Sequence, residues 1–271
     1  MMKEITSLQN QKIKEAASLY DRKFREANSL FLIEGYREIK RALSRGVNIK
    51  RVFFHPSSFL NEERSLLDQL IALTNEYYQV PQDLLKKICY REKTESIVVV
   101  AKKDKDDWNS IYKKGSSSLL VVAEEIEKPG NLGAMLRSCD GAGADGFILN
   151  SSQTDVYNPN VIRASAGAVF GLPVIQADKE QTYDWLKKNH ISVLATTPKA
   201  SHCYTDVDLA APVAFVMGTE DKGLSSFWLE VSDIQVKIPM YGLGDSLNVA
   251  SATTLLLYEA RRQRRVSGYS V

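Results

Sequence analysis

Apolar and polar residues alternate along this chain in short blocks that predict strands and helices in turn. In the first hundred residues, runs rich in β-branched and aromatic side chains predict four strands, SLFLIE, RVFFH, YYQV and SIVVVA. Apolar residues at helical spacing predict helices around residues 13–20, 36–44, 62–73 and 82–88, and Gly46 would end the second of them. Strands separated by helices are typical of an α/β layer with largely parallel pairing.

A charged stretch that also contains glycine and serine, KKDKDDWNSIYKKGSSS at residues 102–118, interrupts this pattern. Beyond it the strands LLVVAEE, GFILN, PVIQA, ISVLAT, VAFVMG and IQVKI are predicted, with helices around residues 132–140, 161–164, 181–188 and 247–265. The interruption predicts an α/β domain of residues 1–105, a linker of residues 106–118 with a short helix near Trp108, and a second, parallel α/β domain of residues 119–271.

Composition narrows the class of protein. A chain of 271 residues with 44% hydrophobic content can bury a substantial core, which excludes the disordered and fibrous classes. No run approaches the roughly 20 apolar residues that cross a bilayer, and the first residues are polar where a signal peptide is apolar. We therefore expect a cytoplasmic protein with no membrane partner. The three cysteines and three histidines are scattered, so we expect neither disulfides nor a metal site.

Charge is divided unevenly between the two predicted domains. Residues 1–105 hold 20 Lys and Arg against 14 Asp and Glu, whereas residues 106–271 hold 15 against 19. A net charge of +6 in the N-terminal part and −4 in the C-terminal part is consistent with an N-terminal domain that binds a polyanion and a C-terminal domain that catalyses a reaction. Ordinary solvated surface charge would give the same numbers, so charge alone does not decide between the two interpretations.

The string GAGADG at residues 141–146 matches the glycine spacing of a dinucleotide-binding loop, but its context argues against that function. Such a loop needs a strand before its glycines and a helix after them, so that a pyrophosphate meets the helix N-terminus. In this chain a predicted helix precedes the glycines and the strand FILN follows them. We therefore predict a helix C-cap and a tight turn into the strand.

Three other segments join a loop to a strand end or to the start of a helix. The first, PGNLGAMLRSCDG, predicts a turn and cap at Asn131, with Arg137 less than two turns along the following helix. The second, GTEDKGLS, begins with Gly218 after the strand VAFVM, at the end where open α/β sheets bind ligands. Glycine there allows the backbone to approach a flat ligand. The third, IPMYGLGDSLNVASATTLLLYE, leads into an apolar helix that Ser246 would cap.

In this order and at these separations, the three segments resemble the motifs of the SpoU/TrmH group of SPOUT RNA methyltransferases. The resemblance implies transfer of a methyl group from S-adenosylmethionine to a ribose 2′-hydroxyl in RNA, with no metal. Backbone around Met217 and Gly218 would contact the cofactor, while Ile238 and Leu247 would bracket its adenine. The full set of implied cofactor-binding residues is Thr196, Thr197, Met217, Gly218, Ile238, Met240 and Leu247.

The resemblance also implies which residues lie at the transfer site. Arg137 would engage the target ribose and the adjacent phosphate, with Asn131 helping to hold it. Because arginine keeps its proton at neutral pH, we expect Arg137 to position groups and stabilise charge, while phosphate or water assists proton loss. The two residues after Glu220 depart from the usual family pattern. The implied catalytic set is Asn131, Arg137, Glu220, Ser246 and Asn248.

Two further segments resemble parts of the family that contact RNA. FLIEGYREIKRALSRG, residues 31–46, resembles the small ribosomal-protein-like α/β domain that binds substrate in many SpoU enzymes. NPNVIRASAGAVFGLPV, residues 158–174, resembles the segment beside the RNA site, where Arg163 would contact phosphate. The implied RNA-binding residues are Arg37, Lys40, Arg41, Arg163 and Ser165.

The fold implied by the resemblance is α/β, with a small ribosomal-protein-like domain followed by a SPOUT domain with a parallel sheet and a trefoil knot. A knot could not be inferred from periodicity, because knots are almost absent among folds. The resemblance also implies a homodimer whose active sites use residues of both subunits, with the last helix as an interface candidate.

The substrate and the activity leave alternatives open. The separate N-terminal domain favours ribosomal RNA over transfer RNA, and a methylase that confers antibiotic resistance is included in that class. A non-catalytic RNA-binding protein could keep the same scaffold, although it would have no chemical need for Asn131, Arg137, Ser246 and Asn248 together. A related enzyme that methylates a base would share the cofactor pocket.

Overall fold

The protein divides into two compact units in the computed structural model, which describes residues 3–60, 62–90, 95–112, 117–151 and 154–266. The first unit comprises residues 1–105 and 155–171, and the second comprises residues 106–154 and 172–271. The predicted division assigns residues 155–171 to the C-terminal domain and residues 106–118 to a linker, whereas the first of these segments lies in the first unit and the second segment in the second unit.

Strands and helices alternate along both units. The strands are Lys3–Glu4 (β1), Leu30–Glu34 (β2), Ile49–Phe54 (β3), Tyr77–Gln79 (β4), Ile97–Lys102 (β5), Leu119–Glu124 (β6), Gly146–Asn150 (β7), Val174–Ala177 (β8), Ser192–Thr196 (β9), His202–Cys203 (β10), Val213–Met217 (β11) and Ile234–Lys237 (β12). The helices are Gln11–Ser18 (α1), Arg22–Asn28 (α2), Tyr36–Ser44 (α3), Glu63–Ile71 (α4), Gln82–Lys87 (α5), Pro129–Ala142 (α6), Pro159–Ala164 (α7), Lys179–Lys188 (α8), Ser226–Val231 (α9) and Val249–Val266 (α10). All ten predicted strands are present, whereas β1, β10, α2 and α9 are short elements that the sequence pattern does not predict.

The first unit contains a five-stranded mixed sheet in the order β1-β4-β3-β5-β2. β4 runs parallel to β1 and β3, but β5 runs antiparallel to both of its neighbours. The prediction of largely parallel pairing is therefore wrong for β5. A strand buried on both faces has the same continuous apolar run in either direction, so its pattern carries no information about orientation.

Residues 155–171 belong to the first unit through buried contacts with its N-terminal elements. Arg25 and Asp155, both almost fully buried, form an ion pair of 2.5 Å. Arg25 also donates hydrogen bonds to the carbonyl oxygens of Leu19 and Tyr20. The Phe31 and Tyr157 rings lie 4.4 Å apart between centroids. These contacts attach α7 and its flanking residues to the first unit.

The second unit contains a seven-stranded sheet in the order β10-β12-β9-β11-β6-β7-β8, and all of its strand pairs are parallel. The prediction of a parallel α/β domain is confirmed. The central strands β6 and β11 are buried along their whole lengths, as expected for strands of a sheet whose two faces are both covered. Because all the strands are parallel, their carboxyl ends meet at one edge of the sheet.

The final helix, α10, lies against α6 and extends beyond it. The Ser138 and Thr254 hydroxyl oxygens are 2.7 Å apart between the two helices. Near the end of α10, the buried Arg264 guanidinium donates hydrogen bonds to backbone carbonyl oxygens in two distant segments of the same unit. The acceptors are Ser117, Ser118, Leu209 and Ala211. Arg264 thus joins the helix to the two segments that precede β6 and β11.

Two predicted turns and the predicted linker can be compared with the structure. Gly143 ends α6 with φ of 63°, so GAGADG forms the predicted C-cap and turn, and Gly46 follows α3 with φ of 71°. Within residues 106–118, Trp108–Ile111 forms a 3₁₀ turn. Ile111 is buried in the core of the second unit, so this part of the predicted linker is packed structure. Residues 113–116 lie outside the described residues.

In the described part of the chain, no helix is long and apolar enough to cross a membrane.

Candidate active site

A cavity of about 580 Å³ opens at the carboxyl edge of the seven-stranded sheet. The chain leaves β9 at Thr196, β11 at Met217 and β12 at Lys237, and the loops that follow line the cavity. All seven residues that the sequence predicts for cofactor binding lie along its wall: Thr196, Thr197, Met217, Gly218, Ile238, Met240 and Leu247. Ser246, predicted to face the transfer site, lines the same cavity.

The cavity fits a ligand of the size and polarity of an adenosyl group. Its volume lies within the range of small-molecule sites, and several apolar side chains form its wall, including Leu224 and Leu229. One polar atom in the wall stands out, because the Thr196 hydroxyl oxygen is buried and has no hydrogen-bond partner among the described residues. Buried hydroxyl groups are almost always paired, so this atom is a suitable partner for a polar group of a bound ligand.

The loop after β11 folds back on itself, and this explains its first glycine. The backbone groups of Thr219 and Gly223 exchange two hydrogen bonds of 3.1 Å. A Cβ atom on Gly218 would lie 2.3 Å from the Gly223 carbonyl carbon. The sequence suggests that Gly218 permits close approach of a ligand, but the close approach seen here is to the loop's own backbone. Alanine at this position would force the loop open.

A buried glutamate that the motifs do not include fixes the end of this loop. Glu124, at the end of β6, accepts hydrogen bonds from the Ser225 backbone N–H at 2.8 Å and from the Ser225 hydroxyl at 2.6 Å. Both bonds lie in a partly buried position, where an unpaired carboxylate would be costly. The loop that contains Gly218 and Glu220 is therefore anchored at both ends to the central strands β11 and β6.

A cluster of four polar side chains, here called the Glu220 cluster, lies beside the cavity and consists of Lys128, Asn131, Glu220 and Asn248. The Asn131 amide donates to Glu220 Oε1 at 2.6 Å, and the Asn248 amide donates to the same oxygen at 2.8 Å. The Asn248 amide also lies 3.1 Å from Asn131 Oδ1. Lys128 Nζ donates to Glu220 Oε2 at 2.5 Å. Three of the five predicted catalytic residues are thus in direct contact.

The cluster favours the ionised form of its carboxylate. The hydrogen bond from Lys128 is the largest cause that lowers the pKa of Glu220 below its ordinary value of 4.5, and the amides of Asn131 and Asn248 act in the same direction. Partial burial opposes them. Glu220 in turn raises the pKa of Lys128. An acid whose pKa is lowered is a weak base, so this carboxylate is better suited to hold amides than to accept a proton.

Local structure around the cluster corrects two predicted caps. Asn131 was expected to cap α6, but the helix begins at Pro129 and Asn131 lies in its first turn. Proline is favoured at the first helical position because its φ is already helical, which leaves the Asn131 side chain free to reach Glu220. Ser246 was expected to cap α10, but Asn248 Oδ1 accepts the Ala250 N–H at 3.0 Å. Asn248 therefore caps the helix through its oxygen and binds Glu220 through its nitrogen.

Arg137 is exposed on α6 and does not join the Glu220 cluster. It is six residues after Asn131, which places it roughly 9 Å further along the helix axis and about 120° around it. The Asn131 side chain donates to Glu220 and makes no hydrogen bond with Arg137. Within the described residues, Arg137 makes no hydrogen bond or ion pair, so its guanidinium is free to bind another group.

The RNA-binding residues predicted in the first unit differ in availability. Arg37 and Lys40 are exposed on α3, and Arg163 is exposed on α7. Arg41 is also exposed, but its guanidinium donates to the Ala166 carbonyl oxygen at 2.8 Å. Ser165 is fully buried and its hydroxyl donates to the Ile162 carbonyl oxygen at 2.9 Å, so its side chain does not reach the surface. Its small side chain serves the turn after α7.

Among the described residues, no group of three or more His, Cys, Asp or Glu side chains is arranged to hold a metal ion. Taken together, the parallel sheet, the apolar cavity at its carboxyl edge and the adjacent carboxylate–amide cluster define an α/β protein of the class that binds a nucleoside-type ligand beside polar groups suited to positioning a second reactant.

Comparison with known proteins identifies the family. The model of the SpoU rRNA methylase family matches residues 118–258, and that of the MRM3-like substrate binding domain matches residues 10–99. The 23S rRNA (uridine(2479)-2'-O)-methyltransferase of Streptomyces viridochromogenes is 33% identical over 248 residues, covering 88% of this chain and 84% of that protein. The chain belongs to the SpoU rRNA methylase family, and the resemblance inferred from the three motifs is confirmed.

Two solved structures are similar over nearly the whole chain. One, a crystal structure of an RNA 2'-O ribose methyltransferase, is 40% identical with a TM-score of 0.83 and covers 97% of this chain and 99% of its own. The other is the SpoU methyltransferase AviRb from Streptomyces viridochromogenes in complex with the cofactor AdoMet. It is 30% identical with a TM-score of 0.89 and covers 96% of this chain and 100% of its own. The α/β fold with two domains of this kind is therefore established.

Proposed function

We propose that this protein transfers a methyl group from S-adenosylmethionine to the 2′-hydroxyl of a ribose in ribosomal RNA. The observation that carries the proposal is the position of Glu220, which lines the cofactor-sized cavity and holds Asn131 and Asn248 at its border. The names of the Streptomyces relative and of the AdoMet complex supply the reaction and the cofactor. Both matches extend over most of this chain.

In this proposal the cavity residues bind and orient the cofactor, which supplies a methyl group already activated on a sulfonium sulfur. Ile238 and Leu247 provide apolar contacts for the adenine, and the unpaired Thr196 hydroxyl offers it a hydrogen bond. Orientation is the main contribution left to the protein, because methyl transfer requires the ribose oxygen and the methyl carbon to be in line. The backbone of Met217 and Gly218 lies at the same wall.

Asn131 and Asn248 are the proposed ribose-positioning residues, with Ser246 beside them. Glu220 fixes both amides by accepting a hydrogen bond from each. Glu220 itself is a poor general base, because three donors satisfy its carboxylate and lower its pKa. Arg137 stabilises charge on the ribose and the adjacent phosphate, and the hydroxyl proton leaves to phosphate or water. RNA is distinguished from DNA because only RNA carries the 2′-hydroxyl.

Homodimer formation is part of the proposal. Leu255 and Tyr258 are exposed on one side of α10, and the preceding loop exposes Tyr241 and Leu243 almost completely. Leu255 and Tyr258 are three residues apart on the helix and so lie on the same face, and adjacent exposed apolar side chains are typical of interaction surfaces. A second copy of the chain at α10 would cover them and would allow Arg137 to act in the partner's site. A trefoil knot in the C-terminal region and a cytoplasmic location also remain proposals that follow from family membership.

The role of Lys128 gives a testable pH dependence. Because the pKa of Glu220 in the folded protein is below its ordinary value of 4.5, the carboxylate is ionised above pH 4.5 and holds the cluster together. The ionised form is lost only as the pH falls through that lowered pKa. Lys128→Met removes the largest cause of that shift, so the acid limb of kcat/KM should move to higher pH. The shift should shrink in high salt, because the pair is partly exposed.

Lys187→Met is the matched control for this experiment, since Lys187 forms an exposed ion pair of 2.7 Å with Asp233 elsewhere in the second unit. Its pH–rate profile should coincide with that of the unmodified protein. An acid limb that stays in place in Lys128→Met would show that the ammonium does not set the ionisation of Glu220.

The proposed function is tested by mapping alkali-resistant linkages in ribosomal and transfer RNA from cells with and without this gene. A 2′-O-methyl group blocks alkaline cleavage at its own linkage, so the proposal predicts one protected linkage in ribosomal RNA that depends on the gene. A protected linkage in transfer RNA would move the substrate to that class. Methylation without protection would indicate a base methyltransferase, and cofactor binding with no transfer would indicate a non-catalytic RNA-binding protein.

A further inference from the structure

A partly exposed aromatic cluster lies in the first unit, and none of its members belongs to the residues proposed for cofactor binding or catalysis. It consists of Tyr20, Tyr90, Asn160 and Arg163 and is here called the Tyr90 cluster. The Arg163 guanidinium lies over the Tyr90 ring at 5.8 Å from its centroid. The Tyr20 and Tyr90 rings are 5.8 Å apart and tilted by 42°. Flat aromatic and guanidinium groups are therefore grouped at the surface.

Hydrogen bonds hold the members of the cluster in place. Asn160 links two of them, because its amide nitrogen donates to the Tyr90 hydroxyl at 2.6 Å and its oxygen accepts from Arg163 Nη2 at 3.2 Å. The backbone N–H of Tyr90 donates to the Glu34 carboxylate at 3.0 and 3.1 Å. The Tyr20 hydroxyl donates to the Ile88 carbonyl oxygen at 2.9 Å. Despite these bonds, Tyr90 keeps 47% of its surface exposed.

The exposed pair is not needed to attach residues 155–171 to the first unit. The buried ion pair of Arg25 with Asp155 and the contact between Phe31 and Tyr157 already make that attachment. Arg163 and Tyr90 lie at the surface, where a cation–π contact contributes little to stability. A preformed, solvent-facing aromatic and guanidinium surface is instead what single-stranded RNA recognition uses, because unpaired bases stack on both kinds of plane.

We propose that Tyr90 and Arg163 form a stacking platform for an unpaired nucleobase of the RNA substrate. The proposal rests on RNA being the substrate and deepens the proposed function by placing a base-binding site in the first unit. It changes the role expected of Arg163, whose guanidinium stacks on the base while Asn160 holds it in place. A phosphate contact alone would recognise the backbone and ignore the base.

Binding of two labelled oligomers to the full-length protein tests the platform. One is a fluorescein-labelled uridine dodecamer of RNA, and the other is a stabilised abasic dodecamer with the same number of phosphates. By fluorescence anisotropy, the unmodified protein should bind the base-containing oligomer about tenfold more tightly, within the range for stacking one or two bases. Tyr90→Leu and Arg163→Gln should reduce this preference to less than about twofold, while Tyr90→Phe, which keeps the ring, should retain most of it.

Leu73→Ala and Arg22→Gln are the matched controls, because they change an exposed apolar residue and a partly exposed arginine elsewhere in the first unit. Both should keep the preference for bases. Thermal unfolding and calorimetric binding of S-adenosylmethionine identify a Tyr90→Leu protein that has failed to fold, and Arg163→Gln then carries the test alone.

Equal affinity of the unmodified protein for both oligomers, absence of binding to either, or an unchanged preference in folded Tyr90→Leu would overturn the platform. These results do not depend on methyl transfer. If the preference for bases is present but no RNA is methylated, the platform stands and the proposed enzymatic function falls. If ribosomal RNA is methylated but the preference is absent, the reverse holds.

Discussion

Replacing Arg137 with alanine is expected to reduce methyl transfer by about 1,000-fold, at the upper end of the loss seen when one charge-stabilising donor is removed from an active site. Arg137 is exposed and makes no hydrogen bond or ion pair within the described residues, so its removal leaves no internal partner unsatisfied. The affinity for S-adenosylmethionine should therefore be largely unchanged. A methyl-incorporation assay on ribosomal RNA and calorimetry with the cofactor measure the two quantities separately.

Arg265→Ala is the control, since Arg265 is an exposed arginine near the end of α10, and its activity should match that of the unmodified protein. Arg137→Lys should be intermediate, because lysine keeps the charge but lacks the planar fork that binds phosphate with two bonds. Full transfer activity in Arg137→Ala would remove Arg137 from the proposed mechanism.

A mixture of two inactive variants can show whether Arg137 acts within one subunit or across a dimer. If it acts across the interface, a mixed dimer of Arg137→Ala and Glu220→Gln has one site with both changes and one with neither. Random mixing of a closed dimer would then restore about a quarter of the activity. If Arg137 acts within its own subunit, or if the protein is a monomer, the mixture should stay inactive.

Glu220→Gln is expected to reduce transfer by about 100-fold, the scale of loss that follows when reacting groups are misplaced by about an ångström. Glutamine has nearly the same shape, but its amide nitrogen is a donor and would face Lys128, Asn131 or Asn248, which all donate to Glu220. At least one of these hydrogen bonds must break. In either orientation of the glutamine amide, Asn131 and Asn248 also lose a charged acceptor, so their amides are held less firmly.

The loss should appear mainly in kcat, because the residues that form the apolar wall of the cavity are unchanged. Glu230→Gln is the matched control, since Glu230 is an exposed glutamate on α9 in the same unit. Steady-state kinetics with ribosomal RNA at a fixed, saturating cofactor concentration gives the comparison. Transfer by Glu220→Gln within threefold of the unmodified rate would mean that the cluster does not position the ribose.

The wall of the cavity could be predicted from sequence because several of its residues end a strand or follow it directly. Met217 ends β11, Gly218 follows it and Thr196 ends β9, so recognising the strands was enough to bring these positions to one edge of a parallel sheet. The family motifs added Ile238 and Leu247. These positions are defined by local sequence patterns, which can be recognised in a single sequence.

Lys128 was missed because its partner, Glu220, lies 92 residues away. Nothing in the local sequence distinguishes a lysine before a proline from any other solvated charge. The family resemblance places Asn131 and Glu220 in one catalytic set, but it gives no role to Lys128. The buried pair of Arg25 with Asp155 was missed for the same reason, since 130 residues separate them. Ion pairs of this kind depend on the tertiary fold.

Other differences between prediction and structure arose where two residues close in sequence were equally suited to one role. Ser246 and Asn248 are both good helix caps, and only the course of the backbone decides that Asn248 accepts the Ala250 N–H. Arg163 and Ser165 both lie in a segment expected to meet RNA, yet one is exposed and the other is fully buried. A shift of two residues at a turn reverses which side chain reaches solvent.

Arg264 has a consequence for the order in which the protein is made and folded. Its guanidinium binds carbonyl groups at Ser117 and Ser118, residues that leave the ribosome 146 or more positions before it. Until α10 has been synthesised, those carbonyl groups lack their partner and the apolar surface of α6 that α10 covers stays uncovered. By then most of the sheet has been synthesised. The second unit therefore completes its core only after translation of α10, and the first unit waits in the same way for Asp155 and α7, which are made after residue 105.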